Sequence, residues 1–387
     1  VVPSLHPGRS GRGGEHPTGA AHEGNTLNLF TIPAGIPFLD ALASEWLERA
    51  GGDPLAVSRG LILLPTRRAA RALADAFLRA SAGRPLLLPR ITGIGALDEA
   101  PLTLAGALDL PAAVEPARRL AALTRLILAT RGANGAPRTA DRAWPLAAEL
   151  AALMDEAERA EVDLARRLPE AADPAYAAHW AQTLKFLRIV TRSWPSWLAE
   201  QGLMNPAARL IALLDAQAAA WNAAPPAEWV LAAGTTAGIP AVARLLRVVA
   251  HLPNGAVVLP GLDTGMSERA WAELDDTHPQ AGLARLLHGL GATRNDVRPW
   301  PAAAPEAVVM RRGATLSQAL LPANALAEWR NADPGTIEGL MLLSPADQQE
   351  EAAAITMVLR EALETPEATA ALVTPDRDLA GRVATDL

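Results

Sequence analysis

One stretch of this chain reads as a complete folding unit and constrains the rest. Residues 229–263 (WVLAAGTTAGIPAVARLLRVVAHLPNGAVVLPGLD) run as strand, Gly/Thr loop, helix, tight turn and strand. Apolar residues 229–233 end in Gly234, Thr235, Thr236, Ala237 and Gly238. Pro240 then opens a helix whose Val242, Leu245, Leu246 and Val249 recur every three to four residues. Pro253, Asn254 and Gly255 stop that helix, and residues 256–260 form a second apolar run. A helix crossing between two buried runs is the βαβ unit of a parallel sheet. Its first loop resembles a phosphate cradle without a lysine. The single lysine of the chain, Lys185, lies in a helical segment with no glycine loop before it. A working phosphate-binding loop of the nucleotide-hydrolase type places a Lys ammonium on the terminal phosphates. This chain has none to place.

A chain of 387 residues at 50% hydrophobic content can bury large cores, and its length suits two or three domains. Without cysteine there is no disulfide framework and no thiolate site for zinc or an iron–sulfur cluster. No apolar run nears the ~18–20 residues that span a bilayer, and no secretory leader precedes the first strand. The expected setting is cytoplasmic, with no membrane partner. The formal charge of −7 argues against an all-basic nucleic-acid coat, but the charge is uneven. Arg59, Arg67, Arg68, Arg71, Arg79, Arg84 and Arg90 face only Asp75 between residues 58 and 90, a local charge of +6. Residues 149–173 carry a local charge of −5. The basic segment fits a local nucleic-acid contact or a solvated helix face.

Residues 1–26 are Gly, Pro, His, Ser and Arg with little to bury, and read as a disordered lead. Residues 27–32 predict a strand, 33–37 a loop and 38–49 an amphipathic helix. Residues 61–64 are a continuous apolar run, hence a buried parallel strand, followed by a helix over 67–80 and a strand over 86–89. From 111 to 220 the apolar spacing is helical throughout. Residues 264–335 are turn-rich and read as a connector. Residues 338–387 predict strand 340–343, helix 348–363, strand 370–373 and helix 377–387. The expected division is a lead (1–26), an α/β domain in two parts (27–110 and 221–335) around an all-α insertion (111–220), and the start of a second α/β domain (336–387). The chain reads as the front of a longer polypeptide.

No HExxH or GxSxG pattern occurs, and the seven histidines lack ligand spacing, so neither a catalytic residue nor a metal ligand is assigned. The acidic pairs Asp98-Glu99, Asp155-Glu156 and Asp275-Asp276 do not follow buried strand residues and read as solvated surface. Ala34, Gly35, Ile36, Pro37 and Phe38 occupy the position of a phosphate-binding loop. Pro33 and Pro37 remove two backbone donors there, so no cofactor is assigned. Thr66, Arg67, Arg68 and Arg71 lie at the next strand-to-helix turn, on the edge where open parallel sheets meet ligands. Hydroxyl, helix amides and arginines there suit phosphate oxygens. The alternative is the exposed side of an amphipathic helix. Gly234, Thr235 and Thr236 suit sugar-phosphate contacts or a plain helix-starting turn.

Taken in order, the loop at 33–38, LLPTRRAAR, the helical insertion, AAGTTAGIPAVARLL, GAVVLPGLD and ALVTPDRDLAGRV resemble the AddB family, in its alphaproteobacterial form. These are second subunits of AddAB helicase–nucleases. The resemblance runs from about residue 28 to 387 and is strongest at 61–71, 234–263 and 371–382. It implies a superfamily-1 helicase-like, RecA-like α/β fold with an all-α insertion. It also implies a role in processing double-strand DNA ends for recombination, contact with single-stranded and double-stranded DNA, and an AddA-type partner in a heterodimer. The family's exonuclease domain, with its iron–sulfur cluster and magnesium, lies beyond the segment matched here. None of its residues carries over.

Two other classes stay open. One is a stand-alone enzyme binding a nucleotide or another phosphate compound at residues 234–238. The other is a partner-binding protein without DNA contact, using tryptophans such as Trp194, Trp197, Trp300 and Trp329.

Overall fold

The computed structural model describes residues 27–96, 99, 102, 109–130, 138–170, 183–184, 186–236, 238–303, 306–331, 339–366 and 368–387. They fall into two compact units, 1–333 and 334–387. The first is an α/β domain built on strands β1 (Leu29–Ile32), β2 (Leu61–Leu64), β3 (Arg90–Gly93), β6 (Val230–Ala233), β7 (Gly255–Pro260) and β8 (Arg298–Pro299). A minor pair, β4 (Ala112–Ala113) and β5 (Leu203–Met204), lies apart from them. The main sheet has the order β3-β2-β6-β7-β1-β8, with each neighbouring pair parallel.

Successive strand residues face opposite ways, so each apolar run feeds two cores. Leu61, Leu63, Val230, Ala232, Val257 and Leu259 face helices Pro206–Ala223, Pro240–His251 and Ala281–Leu290. Ile62, Leu64, Leu231, Ala233, Ala256 and Val258 face α1 (Phe38–Arg49), α2 (Pro54–Ser58) and α3 (Arg67–Ala80). The second core is closed by Trp46, whose Nε1 donates to the Val57 carbonyl at 2.9 Å and whose ring stacks on Trp229 at 4.3 Å.

This layering sets how the connections leave the carboxyl edge of the sheet. Connections leaving β1 and β2 pass over the α1–α3 face, whereas those leaving β6 and β7 pass over the opposite face. Right-handed crossovers allow only that arrangement when the chain reverses direction across the sheet. Adjacent strands whose outgoing connections diverge leave a crevice at their carboxyl ends. The connections leaving β2 and β6 diverge in this way, and those leaving β7 and β1, though they cross, part to opposite faces, so both junctions can be compared as crevices.

Residues 116–201 supply helices Pro116–Leu128, Ala140–Arg159, Leu164–Glu170 and Trp194–Gln201, with a π turn at Ile189–Ser193. They have their own core around Leu123, Ile127, Ala147, Leu150, Met154 and Trp194. Helix Pro206–Ala223 instead gives Leu214 and Ala218 to the core of the main sheet.

Several expectations are corrected. The strand predicted at 86–89 forms four residues later, as β3. Leu87 and Leu88 are exposed, and Arg90 to Gly93 pair in register with Leu61 to Leu64. The turn-rich region 264–335 contributes helix Ala281–Leu290, whose Leu283, Leu286, Leu287 and Leu290 enter the core, and the edge strand β8. Pro299 suits an edge, where its missing N–H breaks no ladder. In the second unit, helices Gln348–Leu363 and Arg377–Asp386 meet through Ala352, Leu379 and Val383. The strands predicted at 340–343 and 370–373 do not form. Leu342 is 89% and Val373 93% exposed, since a parallel strand needs a hydrogen-bonded neighbour and neither run has one among the described residues.

Candidate nucleic-acid interface

The β2/β6 crevice is bounded by the turn into α3 and the loop after β6. Thr66 caps α3: its backbone is extended, and its Oγ1 accepts the Ala69 N–H at 3.1 Å. Leu73, Ala76 and Phe77 bury one face of α3, which turns Arg67, Arg68 and Arg71 outward. These three are exposed and make no ion pair among the described residues. Arg79, at the far end of the helix, pairs with Asp40 at 2.6 Å. Cations at a helix N-terminus oppose the macrodipole, where acids are the stabilising choice, and this first turn has no acid. A cluster of positive charge therefore sits where the helix itself attracts an anion.

Across the crevice, Gly234 has φ +74, and its N–H donates to the Val258 carbonyl at 3.0 Å. A Cβ there would stand 3.2 Å from the Phe38 ring and 3.8 Å from Pro65, so glycine is required by conformation and by space. The structure thus brings the turn at Thr66, the loop at Gly234 and the first residue of α1 together. Thr235 is half-buried. Thr236 is exposed on one side and rests on helix Ala281–Leu290, where a Cβ added at Gly282 would meet its Cβ at 3.2 Å. That contact gives Thr236 a packing role that sequence reasoning missed. Ala237 lies outside the described residues.

Several side chains crowd the β7/β1 crevice. Ile36 packs into the core beneath α1. A Cβ at Gly35 would fall 2.9 Å from Val309 of helix Ala307–Ala319, and one at Gly261 would fall 3.6 Å from Ala34. On the β7 side, Gln280 accepts the Asp263 N–H at 3.1 Å and donates to the Gly261 carbonyl at 2.9 Å. Arg294, buried against Trp271, donates to the Met266 carbonyl at 2.7 Å. In the loop at residues 34–38, Ile36 and Phe38 pack against the core, while Ala34, Gly35 and Pro37 are exposed.

Two of the acidic pairs are not merely solvated. Glu99 accepts from Arg209 Nη2 at 2.7 Å, which holds its carboxyl below the ordinary range. Asp155 binds the Arg119 guanidinium at 2.8 Å, and Arg119 is only 5% exposed. Both partners are distant in sequence, so local spacing gave no sign of them. Asp275 closes a turn through the Thr277 N–H at 2.8 Å, Asp276 pairs with Arg285 at the surface, and Asp98 lies outside the described residues. Among the described residues no cluster of His, Asp and Glu is suited to a metal ion, and no helix is long and apolar enough to cross a membrane. No family model matches the sequence, and no curated protein matches it.

Proposed function

We propose that this chain is a non-catalytic, DNA-binding scaffold: an inactivated helicase-like domain of the AddB kind, serving a complex that processes double-strand DNA ends. The parallel sheet between two helical layers is consistent with a RecA-like fold. The observation that carries the reading is the contrast between the two crevices. The one at β7/β1, beside the position of a phosphate-binding loop, is crowded by Ile36 and Val309, and that loop carries no lysine. The one at β2/β6 is flanked by Thr66 and by Arg67, Arg68 and Arg71, which have no ion-pair partner among the described residues. Arginines and short neutral donors of this kind hold a nucleic-acid backbone without reading its sequence. The AddA-type subunit is the partner this reading supplies, and it brings the motor that this chain lacks.

Titration of the chain with a labelled single-stranded oligonucleotide and, separately, with labelled ATP tests the proposal. Binding of DNA that weakens with salt, with no magnesium-dependent ATP binding, is expected. Micromolar ATP affinity requiring magnesium would refute the non-catalytic assignment, and would favour a phosphate-binding enzyme.

A further inference from the structure

The helical insertion and the main sheet have separate hydrophobic cores. No buried residue of the insertion's core appears in either core of the sheet. Polar ties are prominent where the two meet. Glu158 accepts from Asn205 Nδ2 at 2.6 Å and from the Ala208 N–H at 3.2 Å. Arg209 joins Glu99 and the Pro111 carbonyl at the two chain crossings. The third tie is the most elaborate. Arg244, on helix Pro240–His251, makes a fork–fork pair with Glu161 at 2.7 and 2.9 Å and also binds both carboxylate oxygens of Asp215, at 2.8 and 3.0 Å. Both carboxylates raise the affinity of this guanidinium for its proton, Glu161 first.

Glu161 is the residue that reaches from the insertion, just past the end of helix Ala140–Arg159. Its φ is +54, a left-handed conformation that costs a side-chain-bearing residue energy and persists where surroundings hold it. All three side chains of the tie are between 34% and 43% exposed, so dissolved salt reaches it. Within this one compact unit, a junction with prominent polar ties between separate hydrophobic clusters opens more readily than a shared apolar core. What still joins the two when it opens is the two-residue ladder of β4 with β5, continued by the Val114 N–H to the Met204 carbonyl, together with the Glu158 and Arg209 ties beside that neck.

We propose that Arg244 is a latch: paired with Glu161 and Asp215 it holds the insertion against the sheet, and its release lets the insertion turn about the β4–β5 neck. Helix Pro240–His251 starts directly after the loop at 234–238, so the latch stands in a position to couple that loop to the insertion. The inference does not rest on the DNA-binding reading, and its test contains no DNA.

The chain has no cysteine, so paired labels are placed cleanly. Glu156→Cys on the insertion and His288→Cys on helix Ala281–Leu290 are both exposed sites. Single-molecule energy transfer between dyes at these two positions should give one dominant state at low salt. Raising sodium chloride from about 0.05 M to about 1 M shortens the screening length severalfold and should increase a second state about fivefold. Arg244→Gln should produce the same state at low salt, and so should Glu161→Gln combined with Asp215→Asn. The salt titration of the otherwise unaltered chain needs neither variant to fold. A single transfer distribution, unchanged across that salt range, would overturn the latch.

Discussion

Gly255→Ala should be among the most damaging single-methyl additions this fold can receive, lowering stability by about 3 kcal/mol or more. Gly255 opens β7, directly under the end of helix Pro240–His251. A Cβ there would lie 2.0 Å from the Val249 carbonyl oxygen and 2.7 Å from Leu252 Cβ. The first of these is backbone, already accepting the Leu252 N–H at 3.2 Å, so no rotamer change relieves the clash. Moving the helix end away would disturb Val249 and Leu252, both buried in the core. Gly313→Ala is the matched control. It lies inside helix Ala307–Ala319 with open space at its Cβ, and should stabilise by about 0.5–1 kcal/mol through helix propensity. Denaturant melts of the two variants check both signs. Equal melts for Gly255→Ala and the unaltered chain would mean the helix-to-β7 turn is not as described.

The second large effect belongs to the basic turn. Replacing Arg67, Arg68 and Arg71 together by alanine should weaken single-strand binding about a hundredfold, on the order of 1 kcal/mol per lost phosphate contact. It should also reduce the slope of log affinity against log salt by about two, at ~0.7 per phosphate for single strands. Stability should hold or rise slightly, because the exchange removes three exposed cations from the positive end of a helix dipole. This combination separates ligand binding from a solvated helix face. Unchanged affinity and slope would identify the arginines as solvated surface only.

Much of the fold could be read where period and punctuation agree. Helices Phe38–Arg49, Arg67–Ala80 and Pro240–His251 form at the bounds expected from apolar spacing, with Thr66 and Pro240 marking two of the starts. Buried strands β2 and β6 follow from unbroken apolar runs. The failures share a cause: strand formation depends on a neighbour, which local sequence does not contain. Leu86, Leu87 and Leu88 look more strand-like than Arg90, Ile91, Thr92 and Gly93, yet the latter lie in register with β2. Residues 340–343 and 370–373 have strand composition and no strand partner among the described residues. The candidate site was legible at Thr66 and Gly234, where cap chemistry and a positive φ leave a mark in the sequence. The packing of Thr236 on Gly282, of Val309 on Gly35 and of Phe38 on Gly234 was not, because each joins residues far apart in the chain.

Photo-cross-linking tests the central claim most directly. A single-stranded oligonucleotide carrying 4-thiothymidine, irradiated with the intact chain and mapped by peptide mass spectrometry, reports which residues touch the strand. Cross-links concentrated at residues 66–71 and 234–238, and suppressed by raised salt, are the expected result. Cross-links falling elsewhere, with those two segments unlabelled, would contradict the placement of DNA at the β2/β6 crevice.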